Sequence, residues 1–104
     1  MIFYKKNTQD NDYIFSIIIP TWNNLNFLKL CISAIQKNSS FKHQIILHIN
    51  EGTDGSREWA EQNNFDYTFS KNNIGICYAC NAAYSLSKAQ YIVYINDDMY
   101  VCPK

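Results

Sequence analysis

Four short runs of apolar, mostly β-branched residues alternate with stretches of helical spacing, and this alternation constrains the fold more than any other feature. The first run, Ile14-Phe-Ser-Ile-Ile-Ile19, is nearly continuous and is closed by Pro20. A strand of that kind is buried on both faces, as in a parallel sheet between helices. Asn23 or Asn24 then offers a helix N-cap. Leu25, Leu28, Cys31, Ile32 and Ile35 follow at helical spacing and give that helix one apolar face. Residues 44–49, 67–69 and 91–95 read as further strands. A short helix carries Trp59 and Ala60, capped by Asp54 or Ser56. Residues 76–86 read as a helix whose Ala79, Ala82 and Ala83 permit close packing. The order β-α-β-α-β-α-β predicts an α/β domain with a parallel sheet of about four strands, flanked by helices. Residues 1–12 are largely polar and read as a loose lead-in to one domain over 13–104.

Composition narrows the class. The chain has 104 residues, 47% hydrophobic and 17% charged, which fits one globular domain. Its net charge is zero with no Lys/Arg cluster, so no nucleic-acid partner is expected. No apolar run approaches the roughly 20 residues of a membrane span, and the first residues lack the order of a signal peptide. A cytoplasmic location is expected, with any membrane association peripheral. Reduced thiols at Cys31, Cys77, Cys80 and Cys102 fit it.

Open α/β sheets bind ligands beyond the carboxyl ends of their strands, so the residues after each strand matter most. Asn96-Asp97-Asp98 ends the last run. Adjacent carboxylates at a buried strand tip are costly without a compensating charge, and a divalent cation with a bound diphosphate is one such partner. An exposed Asn-Asp-Asp turn is the plainer alternative. Trp22 follows the first strand, and its ring either stacks on a flat base or covers the core. Glu51 follows the second, where a carboxylate accepts hydrogen bonds from a base or ribose or is simply solvated. Asp54 reads as a helix cap. Cys77-Tyr-Ala-Cys80 has redox or zinc spacing, but a zinc ribbon needs a second pair, and this one lies inside a predicted helix. His43 and His48 have no partner in sequence and read as core or surface residues. There is no Gly-rich phosphate loop, which disfavours a nucleotidyltransferase.

These stretches together resemble the nucleotide-sugar-binding half of family 2 glycosyltransferases of the Rossmann-like GT-A fold. The matching pieces are Ser16-Ile-Ile-Ile-Pro-Thr-Trp-Asn23, Asn50-Glu-Gly-Thr-Asp-Gly-Ser56, Asn73-Ile-Gly75 with Ala79 and Asn81, and Tyr91-Ile-Val-Tyr-Ile-Asn-Asp-Asp98. The resemblance implies the strand order 3-2-1-4. It implies donor-binding roles for Pro20, Thr21, Trp22, Glu51, Lys71, Asn73, Gly75, Asn96 and Asp97. Trp22 would flank the nucleobase, and Lys71 would approach the base or the diphosphate. Asp97 would contact ribose or sugar and, with Asp98, hold the metal. Asp98 would bind the Mg²⁺ or Mn²⁺ that holds the diphosphate. The expected ligand is a UDP- or GDP-linked sugar.

Two departures stand out. Asn50-Glu51 occupies the place of a common Asp-Asp, in a loop one residue shorter, so Glu51 must reach a base differently. Asn96 replaces the first Asp often seen in the metal motif. The family's general base and acceptor pocket fall downstream of that motif, so no catalytic base is assigned, and the chain reads as a donor half that binds nucleotide weakly and transfers sugar poorly alone. The last strand is expected to form an exposed apolar edge suited to a homodimer. The competing reading is a non-catalytic α/β module that binds a nucleotide or a protein.

Overall fold

Side-chain branching and helical spacing sort the chain into the alternating elements expected. The computed structural model describes residues 2–5 and 12–102. The elements are β1 (Ile2–Lys5), β2 (Phe15–Trp22), α1 (Leu25–Asn38), β3 (His43–Asn50), α2 (Ser56–Gln62), β4 (Asp66–Ser70), α3 (Gly75–Tyr84) and β5 (Tyr91–Tyr94). They build one sheet in the order β1-β4-β3-β2-β5. The four strands read from sequence are parallel and lie in the order 3-2-1-4. β2 pairs with β3 from Phe15 opposite His43 to Trp22 opposite Asn50.

The lead-in differs from expectation. Ile2–Lys5 is not loose but forms a fifth strand, antiparallel to β4, so the sheet is mixed. Ile2, Phe3 and Tyr4 are β-formers whose signal is diluted by the polar residues that follow. Phe3 packs beside Phe69 with ring centroids 6.2 Å apart, and the Arg57 guanidinium sits 4.1 Å over the Phe69 ring. β1 also covers the β4 edge, whose backbone groups would otherwise be open to pairing. The rest of the lead-in, residues 6–11, lies outside the described residues.

Strand alternation gives the sheet two unlike faces. Ile17, Ile19, Ile45, Leu47, Ile49, Tyr67 and Phe69 pack with Leu28, Cys31, Ile32 and Ile35 of α1 and Ala60 of α2. The opposite face holds Ile18 and Ile46 against Ala83 and Leu86, with buried polar residues beside them. Gln44 accepts from Ser16 Oγ at 2.8 Å and donates to Asp66 Oδ2 at 2.8 Å and Leu86 O at 3.0 Å. Among the described residues every buried side-chain nitrogen and oxygen has a partner, as burial requires. β5 forms the other sheet edge, with Tyr91, Ile92 and Tyr94 exposed. No helix among the described residues is long and apolar enough to cross a membrane.

Candidate functional site

Parallel strands end at one side of the sheet, so their following loops converge there. A cleft of about 350 Å³ opens among them, bordered by Pro20, Thr21, Trp22, Asn24, Asn50, Asn73, Gly75, Ile76, Asn96 and Asp97. Seven of the residues singled out in the sequence therefore share one cavity. Three do not border it. Glu51 stands behind Trp22, and Asp98 is exposed beside Asp97. Lys71 is exposed and borders a separate depression next to Ile2 and Phe3.

On the cleft border Thr21 Oγ1 donates to Asp97 Oδ2 at 2.8 Å across 76 residues of sequence. The bond fixes the Asp97 carboxylate at the mouth of β2. The Tyr94 hydroxyl donates to Asn96 Oδ1. Beneath them the buried Cys31 Sγ–H lies 3.7 Å from Asn96 O. Burial, and then the Asp97 and Asp98 carboxylates, push this thiol up to about 11. Burial first, then Cys80, Asp97 and Asp98, also raise the Tyr94 hydroxyl. Burial is the main cause of both shifts, and the two carboxylates add a smaller share.

The donors present suit a hard divalent ion, being two adjacent carboxylates and an amide oxygen. Among the described residues no group of three His, Cys, Asp or Glu side chains gathers. An ion held by Asp97 and Asp98 would complete its shell with water and ligand oxygens, as Mg²⁺-type sites do.

Trp22, also on the cleft border, is 55% exposed. Its indole Nε1–H donates to Glu51 Oε2 at 2.5 Å. An exposed aromatic ring and the Asp97 carboxylate thus border one cleft. The glycosyl transferase family 2 model matches residues 16–104. The chain belongs to this family.

Solved structures agree on the fold. S. aureus TarS 1–349 is 20% identical over 84% of this chain and 28% of that chain, with a TM-score of 0.70, and it has also been solved with UDP and with UDP-GlcNAc. The mannosyltransferase PcManGT from Pyrobaculum calidifontis, in complex with GDP-Man and Mn²⁺, is 22% identical over 86% of this chain and 29% of that chain, with a TM-score of 0.67. The chain thus spans less than a third of each of these structures. No curated protein matches it.

Two residues of this glycosyltransferase domain organise the cleft without having been singled out for it. Asn50, buried at the end of β3, donates through Nδ2 to Thr21 O at 3.2 Å. Its Oδ1 accepts from Ile74 N at 3.0 Å and Ser70 Oγ at 3.3 Å. It therefore ties β2, β4 and the start of α3 together at the cleft floor. His48 is fully buried behind it, with Nδ1 2.7 Å from Thr68 Oγ1 and Nε2 2.9 Å from Ser70 Oγ. The single Ser70 Oγ–H is shared between Asn72 O at 2.8 Å and Asn50 Oδ1, so toward His48 its oxygen accepts, and the consistent arrangement is a neutral ring donating from Nε2 and accepting at Nδ1. The signal for His48 was a polar residue interrupting the apolar run of β3.

The two loops behind Trp22 are stitched together. Asn23 Oδ1 accepts from Thr53 N at 2.9 Å, and Asp54 Oδ2 accepts from Leu25 N at 2.9 Å. Asp54 Oδ1 accepts from Ser56 N and Oγ at 3.1 and 2.5 Å. One carboxylate thus serves the first turns of α1 and α2, which refines the expected single cap. Burial raises its pKa, but bonds from Ser56, Leu25 and its own backbone outweigh that, and the carboxyl lies below its ordinary value. We expect Asp54→Ala to lose about 1–2 kcal/mol in urea unfolding, with Asp54→Asn recovering part. The stability its ionised form contributes is present above pH 3.8 and is lost as pH falls below it. A cost for Asp54→Ala indistinguishable from zero would refute the double-cap role.

The Cys77 and Cys80 thiols are free. Both lie on α3, as the sequence predicted.

Proposed function

We propose that this domain binds a nucleotide-diphosphate sugar, together with Mg²⁺ or Mn²⁺, as the donor for glycosyl transfer to an acceptor hydroxyl. The observation that carries the reading is that the Thr21-held Asp97 and the Glu51-held Trp22 border one cleft. Family membership supports it. So do the UDP and UDP-GlcNAc bound by TarS and the GDP-Man and Mn²⁺ bound by PcManGT.

Trp22 offers its ring to the base. Thr21 holds Asp97 toward the diphosphate or ribose, and Asp98 provides the second carboxylate. Asn73 Oδ1 accepts from Gly75 N at 3.0 Å and so shapes the turn into α3, where Gly75 takes φ +81°. The metal, when bound, supplies charge neutralisation for the departing nucleoside diphosphate. We assign these residues the donor step and no general base. Lys71, facing its own depression, takes no part in this reading.

Calorimetric titration with UDP and with GDP, each with and without Mn²⁺, tests it. We expect binding that depends on Mn²⁺, with the tighter nucleotide naming the base. In Asp98→Ala the metal-dependent part should disappear while the fold, from which Asp98 projects exposed, is kept. Failure of both nucleotides to bind in the presence of Mn²⁺ would overturn the proposal.

A further inference from the structure

We infer that Glu51 is a positioning residue that fixes the plane of Trp22 and does not itself read the base. The inference rests on the donor-site reading above for its consequence, but its geometry stands apart from that reading.

Glu51 is held in an uncommon backbone conformation. Its φ is +63°, and Gly52 N donates to Asn50 O at 2.7 Å. A three-residue turn centred on a positive φ is the rarer, strained form. Non-glycine residues keep such a conformation only where their surroundings impose it. Here the constraints are visible. Glu51 N donates to Ser70 O at 2.9 Å. Gly52, at φ +67°, is buried so closely that a Cβ would lie 2.9 Å from Ile49 Cγ2. The turn is thus fixed from both sides, and Glu51 Oε2 meets the indole Nε1–H at 2.5 Å.

The consequence is steric and electrostatic. Trp22 is exposed, and an exposed ring without a partner samples several rotamers. The Glu51 bond selects one, and the ring that it holds borders the cleft while the carboxylate does not. A carboxylate acceptor makes a stronger bond to an N–H than a neutral one. Base affinity would then depend on Glu51 through the ring, by stacking, which tolerates any base.

A double-mutant cycle separates this from direct base contact. Trp22→Phe keeps an aromatic plane but removes the indole N–H. Nucleotide affinity is measured for wild type, Glu51→Ala, Trp22→Phe and the double variant, using UDP and GDP with Mn²⁺. Alanine leaves the positive-φ turn no more strained than glutamate does. We expect Glu51→Ala to weaken binding about tenfold in the wild type and to have little effect once Trp22 is Phe. An equal loss in both backgrounds would overturn the inference and make Glu51 a direct contact. Ligand-free fluorescence gives a second readout. The chain has two tryptophans, so Trp59→Phe leaves Trp22 as the sole emitter. Its anisotropy should fall in Glu51→Ala and recover in Glu51→Gln, whose amide oxygen still accepts from the indole. If neither nucleotide binds, the donor-site reading fails and the anisotropy decides the positioning role. Unchanged anisotropy in Glu51→Ala would overturn it.

Discussion

Asn50→Ala is expected to lower unfolding stability by about 3 kcal/mol. The asparagine is 4% exposed and makes three hydrogen bonds to three different segments. Truncation leaves the Ile74 N–H and the Thr21 carbonyl without their partner at the cleft floor. Each unsatisfied buried group costs about 1–3 kcal/mol, reduced where water enters to replace the lost bond. Small domains are stable by only about 5–15 kcal/mol, so the loss is a large fraction. Urea unfolding should show a lower midpoint with an unchanged slope. Asn50→Asp provides the control. It keeps an acceptor for Ile74 N but turns a carboxylate oxygen toward Thr21 O, so it should remain destabilised at neutral pH and recover as the acid protonates. A loss below about 1 kcal/mol in Asn50→Ala would mean that the three segments hold together without it.

Acidification is expected to destabilise the fold by a similar amount, through His48. Burial lowers this imidazole from 6.5 to about 4, partly offset by the neighbouring Asn50 side chain. The folded chain therefore keeps the ring neutral at a pH where the unfolded chain protonates it. The stability associated with the neutral ring is fully present above pH 6.5 and is lost as pH falls from there toward 4. Below that both states carry the proton and no further loss accrues from this group. The window corresponds to about 3 kcal/mol at most. Unfolding free energies measured at several pH values between 7 and 4.5 would read it. The Asp54 contribution falls away only below pH 3.8, outside this range. His48→Gln, which retains hydrogen-bonding capacity toward Thr68 and Ser70, should flatten the pH dependence. A variant with the same slope as the wild type would assign the acid sensitivity to other groups.

Both predictions concern the polar face of the sheet, the part of the molecule least legible in the sequence. The strands themselves were legible because β-branched runs bounded by turn residues leave few alternatives. So was the edge of the sheet that would carry the site, since parallel strands with intervening helices place all their carboxyl ends together. That rule placed Asp97 and Trp22 beyond the strand ends, and both border the cleft. β1 was missed because averaging over twelve residues concealed three β-formers at the start. The role of Asn50 was missed for a different reason. Its partners Thr21, Ser70 and Ile74 lie 29, 20 and 24 residues away, and nothing local distinguishes a buried asparagine from a loop one. Lys71 shows the converse. Its position after a strand suggested the cleft, yet it borders a different depression, beside β1.

The sequence by itself determined the alternation of strands and helices, the order of the parallel strands through family resemblance, and the loops that border the cleft. Those features follow from local periodicity and chain connectivity, which are properties of neighbouring residues. The tertiary structure alone decided how the loop side chains are used. It set Thr21 against Asp97, Asn50 against three segments, and Glu51 against Trp22. It also made one face of the sheet polar and satisfied, with His48 neutral at its centre. Hydrogen bonds between residues 20 to 76 positions apart depend on register and strand order, and those exist only once the sheet has formed.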